Sequence, residues 1–288
     1  MCQSCYLVIG GDGFMGRNIT EELRKSGKRV ITTSRRSRNL SESCIYLDLS
    51  KDVLSWEFPK DIDAAFFCAA VPSIEQCRSN PEGSRVVNVE SIIALASRFA
   101  GEGISVIFPS TNLVFDGQRP NRETSDPVCP LTEYGRQKAM AENGLMALGQ
   151  HISIVRLTKI IGPKTQPFNG WIKQLKNKTV INPFSDMFFS PVSIDFVSKV
   201  MIEIADSKKD GIWHISAKED ITYEESARYI ARKINVSQKY VQPIKVNDSG
   251  LEFESIPRYT TLNTSRTEDE LGFTPPHVWE AFNSILDL

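Results

Sequence analysis

The sequence predicts an α/β fold, a doubly wound parallel sheet with a smaller interleaved C-terminal domain. Three observations lead there. Short apolar runs alternate with amphipathic stretches through the first half of the chain, a glycine-rich turn joins the first pair, and prolines crowd in after Arg156. Strands buried on both faces read as unbroken apolar runs, and the crossover helices between them read as amphipathic segments.

Taken in order, the expected strands are Tyr6–Ile9, Arg29–Thr33, Cys44–Tyr46, Ala64–Cys68, Ile104–Phe108 and Ile152–Val155. Helical texture falls near Phe14–Lys25, Gly83–Ala100 and Thr132–Leu148. Past Arg156 the pattern is broken by Pro163, Pro167, Pro183 and Pro191. Ser193–Ala205 and Tyr223–Ile234 still read as helices, and Gly211–Ile215 reads as a short strand between them. The expected division is residues 1–160 for the first domain and 161–288 for the second, with some later segments returning to the first.

Composition excludes several functional classes. The 288 residues are 41% apolar and 24% charged, ordinary for a soluble globular chain. A formal net charge of −1 offers no field to recruit nucleic acid or an anionic membrane. Apolar runs such as Ser91 to Ala96 are far too short to span a bilayer. Tyr6–Ile9 already reads as a strand, so no signal peptide is expected and the chain is placed in the cytoplasm. Of the six cysteines only Cys2 and Cys5 have a CxxC spacing, with no second pair, so reduced thiols and no metal site are expected.

The first strand runs into Gly10-Gly11-Asp12-Gly13-Phe14-Met15-Gly16, and a helix follows at once. Glycines at positions 10, 13 and 16 form the wider variant of the dinucleotide fingerprint of a Rossmann-type fold. The first permits the tight turn, the second a close approach to the pyrophosphate, and the third close helix–strand packing. Unpaired N–H groups of the helix start would then face the pyrophosphate. An NAD enzyme is expected to carry an acid about 20 residues further on, gripping the ribose 2′-hydroxyl. Here the second strand ends in Thr33-Ser34-Arg35-Arg36, which lacks a carboxylate and suits a 2′-phosphate. NADP(H) is therefore the preferred cofactor, with NAD(H) as the second choice. Asp48-Leu49, after the third strand, is placed to meet the adenine, although an Asp starting a helix would read the same way. Ala69, after the fourth strand, completes the candidate cofactor set.

Tyr134-Gly135-Arg136-Gln137-Lys138 is a YxxxK motif in a helical segment, and i,i+4 spacing sets phenol and ammonium on one face. Lowering a phenol from about 10 to about 7 takes roughly 4 kcal/mol of differential stabilisation, for which a neighbouring cation has the right sign. Tyr134 could then exchange a proton with a substrate oxygen while hydride moves at carbon. Upstream, Ile104–Phe108 leads into Pro109-Ser110-Thr111 and so places hydroxyls at a strand's carboxyl end, where open α/β sheets bind ligands. A hydroxyl at Thr111 could hold and orient the carbonyl.

On these residues the chain resembles the extended branch of the short-chain dehydrogenase/reductase family, and within it the dTDP-4-dehydrorhamnose reductases and their sugar-nucleotide relatives. The matching stretches are Gly10–Gly16, Asn88 in Val87-Asn88-Val89, Ser110 to Gly117, Tyr134–Lys138, Arg156 to Pro163 and Leu271 to Pro275, in family order along almost the whole chain. The resemblance implies that Thr111 binds the substrate oxygen and Tyr134 is the acid/base. It implies that Lys138 holds the nicotinamide ribose and lowers the tyrosine pKa, while Asn88 supports the cofactor-binding strand. It also implies a nucleotide-sugar substrate and a homodimer as the candidate assembly.

Departures narrow the reaction. Asn112 stands where many family members carry Asp, and Asn112-Leu113 cannot supply the acid–base pair of a 4,6-dehydratase. Arg258-Tyr259 replaces an Arg-Pro pattern. Reduction of the keto group of a nucleotide-activated 4-keto-6-deoxy sugar fits best, an NAD(P)-dependent epimerase or a non-catalytic NADP-binding regulatory subunit being the alternatives. Thr111, Asn112, Trp171 and Arg258 are the substrate-side candidates. Lys173, Lys176, Phe188 and Phe189 could equally be solvated charges and core, and His151, His214 and His277 are taken as structural.

Overall fold

The computed structural model describes residues 4–286. In chain order the elements are β1 (Cys5–Ile9), α1 (Phe14–Lys25), β2 (Arg29–Ser34), β3 (Cys44–Tyr46), β4 (Ala64–Phe67), α2 (Ile74–Ser79), α3 (Pro81–Arg85), α4 (Ser91–Gly101), β5 (Ser105–Thr111), α5 (Glu133–Met146) and β6 (Ile152–Leu157). These are followed by β7 (Lys159–Ile161), α6 (Phe168–Lys176), β8 (Phe188–Phe189), β9 (Pro191–Ser193), α7 (Ile194–Ser207), β10 (Gly211–Ile215), β11 (Ile221–Thr222), α8 (Tyr223–Lys233), α9 (Ser265–Leu271) and α10 (Glu280–Leu286).

Seven strands form one sheet in the order β3-β2-β1-β4-β5-β6-β10. The pairs β2–β3, β1–β2, β1–β4 and β4–β5 are parallel, so this is the doubly wound α/β class that the alternation predicts. All five residues of β1 and all seven of β5 are buried, which is why β1 and the Val106–Phe108 centre of β5 read as apolar runs without alternation. The order reverses beside β1, and the carboxyl ends of β1 and β4 flank that switch point, the usual ligand crevice of such sheets.

Two compact units divide the chain. The first comprises residues 1–115, 127–156 and 198–213, and the second 116–126, 157–197 and 214–288. The sequence places the division at 160/161, and a break between these units falls after Arg156. The short excursion of 116–126 into the second unit has no compositional signal, while 198–213 is a later segment that returns to the first.

The core of the first unit joins Leu7, Ile9, Phe67, Phe99, Val106, Phe108, Leu145 and Ile154. In α4 the buried positions Ile92, Leu95, Ala96 and Phe99 follow one helical face, with Phe99 edge-on to Phe67 and Phe58. The single helix expected over Gly83–Ala100 is α3, a π-helical turn over Val86–Glu90, and α4. In the second unit, β7 pairs with β9 and β8 with β11. Phe168, Trp171, Phe189, Tyr223 and Phe282 form its aromatic core. Among the described residues no helix is long and apolar enough to cross a membrane. Five cysteines there are free thiols, and no group of metal-ligating side chains occurs. Cys2, half of the CxxC spacing, lies outside the described residues.

Candidate functional site

The glycine turn leaves β1 at Gly10, whose φ is +84°. A Cβ there would lie 2.8 Å from Ala69, and one on Gly16 would lie 2.2 Å from the Gly10 carbonyl oxygen. Only hydrogen fits at either position, so the chain passes unusually close to the segment after β4 and α1 starts tight against the turn. Gly13 is the N-cap of α1 and supplies no side-chain cap, and the first helical turn carries no acid. The helix therefore begins with backbone N–H groups and a positive dipole end, with no carboxylate in that first turn. Phe14 is exposed and Met15 half-buried beside it. The uncapped start of α1, with no acid in its first turn, fits the pyrophosphate of a dinucleotide.

At the end of β2 the structure corrects one premise. The segment Thr32–Arg38 has no acid, yet Asp12 brings a carboxylate to it from the glycine turn. Ser34 Oγ donates to Asp12 Oδ2 at 2.8 Å, Asn39 Nδ2 donates to the same oxygen at 2.9 Å, and Arg36 Nη1 lies 3.9 Å away. Arg35 and Arg36 are exposed. Asp48 starts no helix; its carboxylate accepts from Ser50 N–H and Oγ, and the Ser50 N–H leads the effects that hold its carboxyl below the usual range. Leu49 packs into the core, and its carbonyl accepts from Ser91 Oγ.

Asn88 occupies the π-helical turn and is fully buried. Its Oδ1 accepts from Val71 N–H at 2.8 Å, while its Nδ2 donates to the Val71 carbonyl and to Gln137 Oε1 at 2.9 Å. Asn88 thus links the segment after β4 to the helix turn between Tyr134 and Lys138.

Thr111 is the last residue of β5, and its Oγ accepts from Leu113 N–H at 3.2 Å, starting the 3₁₀ turn Asn112–Val114. Its hydroxyl proton remains available to donate. Thr132 caps α5 by accepting from Gly135 N–H, which sets Tyr134 in the first turn. A Cβ on Gly135 would lie 2.2 Å from the Leu113 carbonyl oxygen, so the glycine inside the motif lets α5 close onto the turn that follows Thr111. Lys138 is buried, and its Nζ donates to the Pro109 carbonyl at 2.7 Å and sits over the Phe108 ring. The Lys138 Nζ is 6.0 Å from the centre of the Tyr134 ring. Tyr134, Lys138 and the end of β5 are thereby brought together.

The electrostatics differ from the sequence expectation of an acidified phenol. Burial pushes the Tyr134 phenol above its ordinary value, and the nearby Cys77 adds to the shift. Burial lowers the Lys138 ammonium to about 8, against an opposing pull from Glu142. Desolvation leads, and the phenol stays protonated at neutral pH.

Behind this pair lies a network that sequence reasoning missed. Glu142, one turn beyond Lys138, accepts from Ser110 Oγ and from Arg156 on β6, whose Nη2 is 2.8 Å away; both side chains of the ion pair are 3% exposed. The i,i+4 step from Lys138 to Glu142 was a readable signal, since it continues the Tyr134–Lys138 face.

In the second unit Trp171 packs edge-on against Phe168 and Tyr223. Lys173 and Lys176 are exposed. Arg258 is exposed over the Tyr259 ring and, with Asn121, Phe188, Lys218 and Asp220, lines a cavity of about 400 Å³; Trp171 is not part of that lining. His214 is buried, with Nδ1 at 2.9 Å from the Asn263 carbonyl.

Comparison with known proteins agrees with this layout. The chain is 25% identical over 280 residues to the probable low-salt glycan biosynthesis reductase Agl14 of Haloferax volcanii, covering 93% of each. It is 24% identical to methionine adenosyltransferase 2 subunit beta of Bos taurus over 282 residues, 91% of this chain and 81% of that one. The crystal structure of dTDP-4-dehydrorhamnose reductase from Bacillus anthracis str. Ames in complex with NADP superposes with a TM-score of 0.83 at 19% identity, over 97% of this chain and 96% of that one. The model of the RmlD substrate binding domain matches residues 5–288, and the chain belongs to that family.

Proposed function

We propose that this protein is an NADPH-dependent reductase of the keto group of a nucleotide-activated 4-keto-6-deoxy sugar, with Tyr134 as proton donor. The observation that carries the reading is the seating of buried Lys138 on the Pro109 carbonyl, which holds α5 and its Tyr134 against the strand end that presents Thr111. The glycine cradle supports a dinucleotide, the arginines after β2 support NADP(H), and relatives and neighbours named as reductases support the reaction class. NAD(H) remains an accepted second cofactor in this reading.

Bound reduced nicotinamide supplies the hydride. Thr111 donates its hydroxyl proton to the substrate oxygen as a hydrogen bond and orients the carbonyl. Tyr134, protonated at neutral pH, gives its phenolic proton to that oxygen as the carbon is reduced, and the tyrosinate is reprotonated from solvent. The Lys138 ammonium stabilises the transient phenolate. Asn112, next to Thr111, is the candidate contact to the rest of the substrate.

Tyr134→Phe tests the reading. NADPH oxidation, followed against a panel of nucleotide-linked 4-keto sugars, should fall by roughly 10²- to 10⁴-fold in kcat while NADPH affinity holds. Near-normal turnover by that variant is incompatible with proton donation by Tyr134. A relative named as a subunit, methionine adenosyltransferase 2 subunit beta, keeps a second reading in view, that of a cofactor-binding subunit without turnover of its own. Retained NADPH binding, no turnover by the unmodified protein and a stable protein partner would establish it instead.

A further inference from the structure

We infer that Asp12 is the residue that sets the choice between the two nicotinamide cofactors, by holding with its own carboxylate the donors that a 2′-phosphate would need. The inference rests on the cleft beside β1 being a dinucleotide site. It does not follow from the sequence, where Asp12 lies inside the glycine turn and 22 residues before Ser34.

Two donors from the end of β2 and the turn after it meet on one oxygen, with a guanidinium beside them. Ser34 Oγ and Asn39 Nδ2 donate to Asp12 Oδ2 at 2.8 and 2.9 Å, and the Arg36 guanidinium stands 3.9 Å off. Ser34 Oγ in turn accepts from the Arg36 N–H at 2.9 Å, which ties the start of that turn to the same group. The Asp12 side chain is 22% exposed, so the carboxylate is partly withdrawn from water. A hydroxyl, an amide and a guanidinium gathered at this edge are what would recognise the phosphate of NADP(H). In this protein the hydroxyl and the amide already have an anionic acceptor, and the guanidinium stands close to it.

Two consequences follow for the two cofactors. A 2′-phosphate carries about −1.5 to −2 charges at neutral pH and would have to share or displace a carboxylate at hydrogen-bonding range, a like-charge contact that opposes binding. A ribose 2′-hydroxyl would instead find an acceptor, the role otherwise filled by an acid at the end of the second strand. Asp12 therefore supplies from the glycine turn the carboxylate that β2 lacks, and it offsets the preference that Arg35 and Arg36 would impose alone.

The test compares the full chain with Asp12→Asn and Asp12→Ala by equilibrium binding. NADPH and NADH are titrated by nicotinamide fluorescence, and 2′,5′-ADP and 5′-AMP by calorimetry, so that the 2′-phosphate is isolated from the rest of the cofactor. Both variants should tighten NADPH and 2′,5′-ADP by about tenfold, with NADH and 5′-AMP unchanged or weakened, and the gain should shrink at high salt. Arg36→Ala should move NADPH in the opposite direction. If both Asp12 variants weaken NADPH, or shift the two cofactors equally, Asp12 merely props up the donors and the inference is overturned while the cofactor site stands. Failure of all four ligands to bind the unmodified protein at millimolar concentration would remove the cofactor site itself and the inference with it.

Discussion

Glu142→Gln is the most informative single change behind the site, because it removes a charge and almost no volume. In the native protein the carboxylate accepts from Arg156 Nε and Nη2 at 2.8–3.2 Å and from Ser110 Oγ, and both members of the ion pair are 3% exposed. Neutralising one partner leaves a guanidinium buried without its counter-charge, which typically costs about 3–5 kcal/mol. Equilibrium urea denaturation followed by tryptophan fluorescence should show a loss of that size. The double variant Glu142→Gln with Arg156→Met removes both charges and should recover much of it. A second readout separates stability from electrostatics. Glu142 is the first of the groups that hold the Lys138 ammonium up against desolvation, so in both variants the alkaline limb governed by Lys138 should move lower. A stability loss below about 1 kcal/mol for Glu142→Gln would refute the account of the ion pair. An alkaline limb that stays in place would refute the link to Lys138.

Three further outcomes follow from the same geometry. Lys138 titrates near 8 in the folded protein against an ordinary value of 10.5, so turnover that needs its ammonium should decline as pH rises through about 8. The unfolded chain binds the extra proton between those values, so this group's contribution to stability should increase from about pH 8 toward 10.5, measurable by denaturation across that range. Gly16→Ala puts a methyl group 2.2 Å from the Gly10 carbonyl oxygen and must push α1 off the turn. It should cost about 1–3 kcal/mol of stability and weaken NADPH and NADH alike, since the pyrophosphate cradle serves both; unchanged affinities would detach the turn from cofactor binding.

The sheet was legible because its inner strands are buried on both faces. Cys5–Ile9 and Ala64–Phe67 are unbroken apolar runs, and their flanking glycines and charges mark their ends. The second unit was far less so. β8 and β11 have two residues each and β7 and β9 three, too few to display a period, and they exist only through their partners. The six-residue helix α2 was missed for the same reason, although Ser73 caps it. In α5 the inward face carries Gln137, Lys138 and Glu142, so a search for an apolar stripe misjudges which side faces the core.

The site divides along a related line. Gly10, Gly16, Tyr134 and Lys138 could be read from the sequence because each works within one turn or one helix, where chemistry imposes a spacing. Asp12 with Ser34 and Asn39, and Glu142 with Ser110 and Arg156, work across 14 to 32 residues, where no spacing rule operates. The pKa of Tyr134 belongs with the second group. Spacing from Lys138 predicts a lowered value, but the groups that desolvate the phenol come from elsewhere in the fold and raise it. The raised value leaves the phenol in its proton-bearing form at neutral pH, the form that the proposed donation to a substrate oxygen uses.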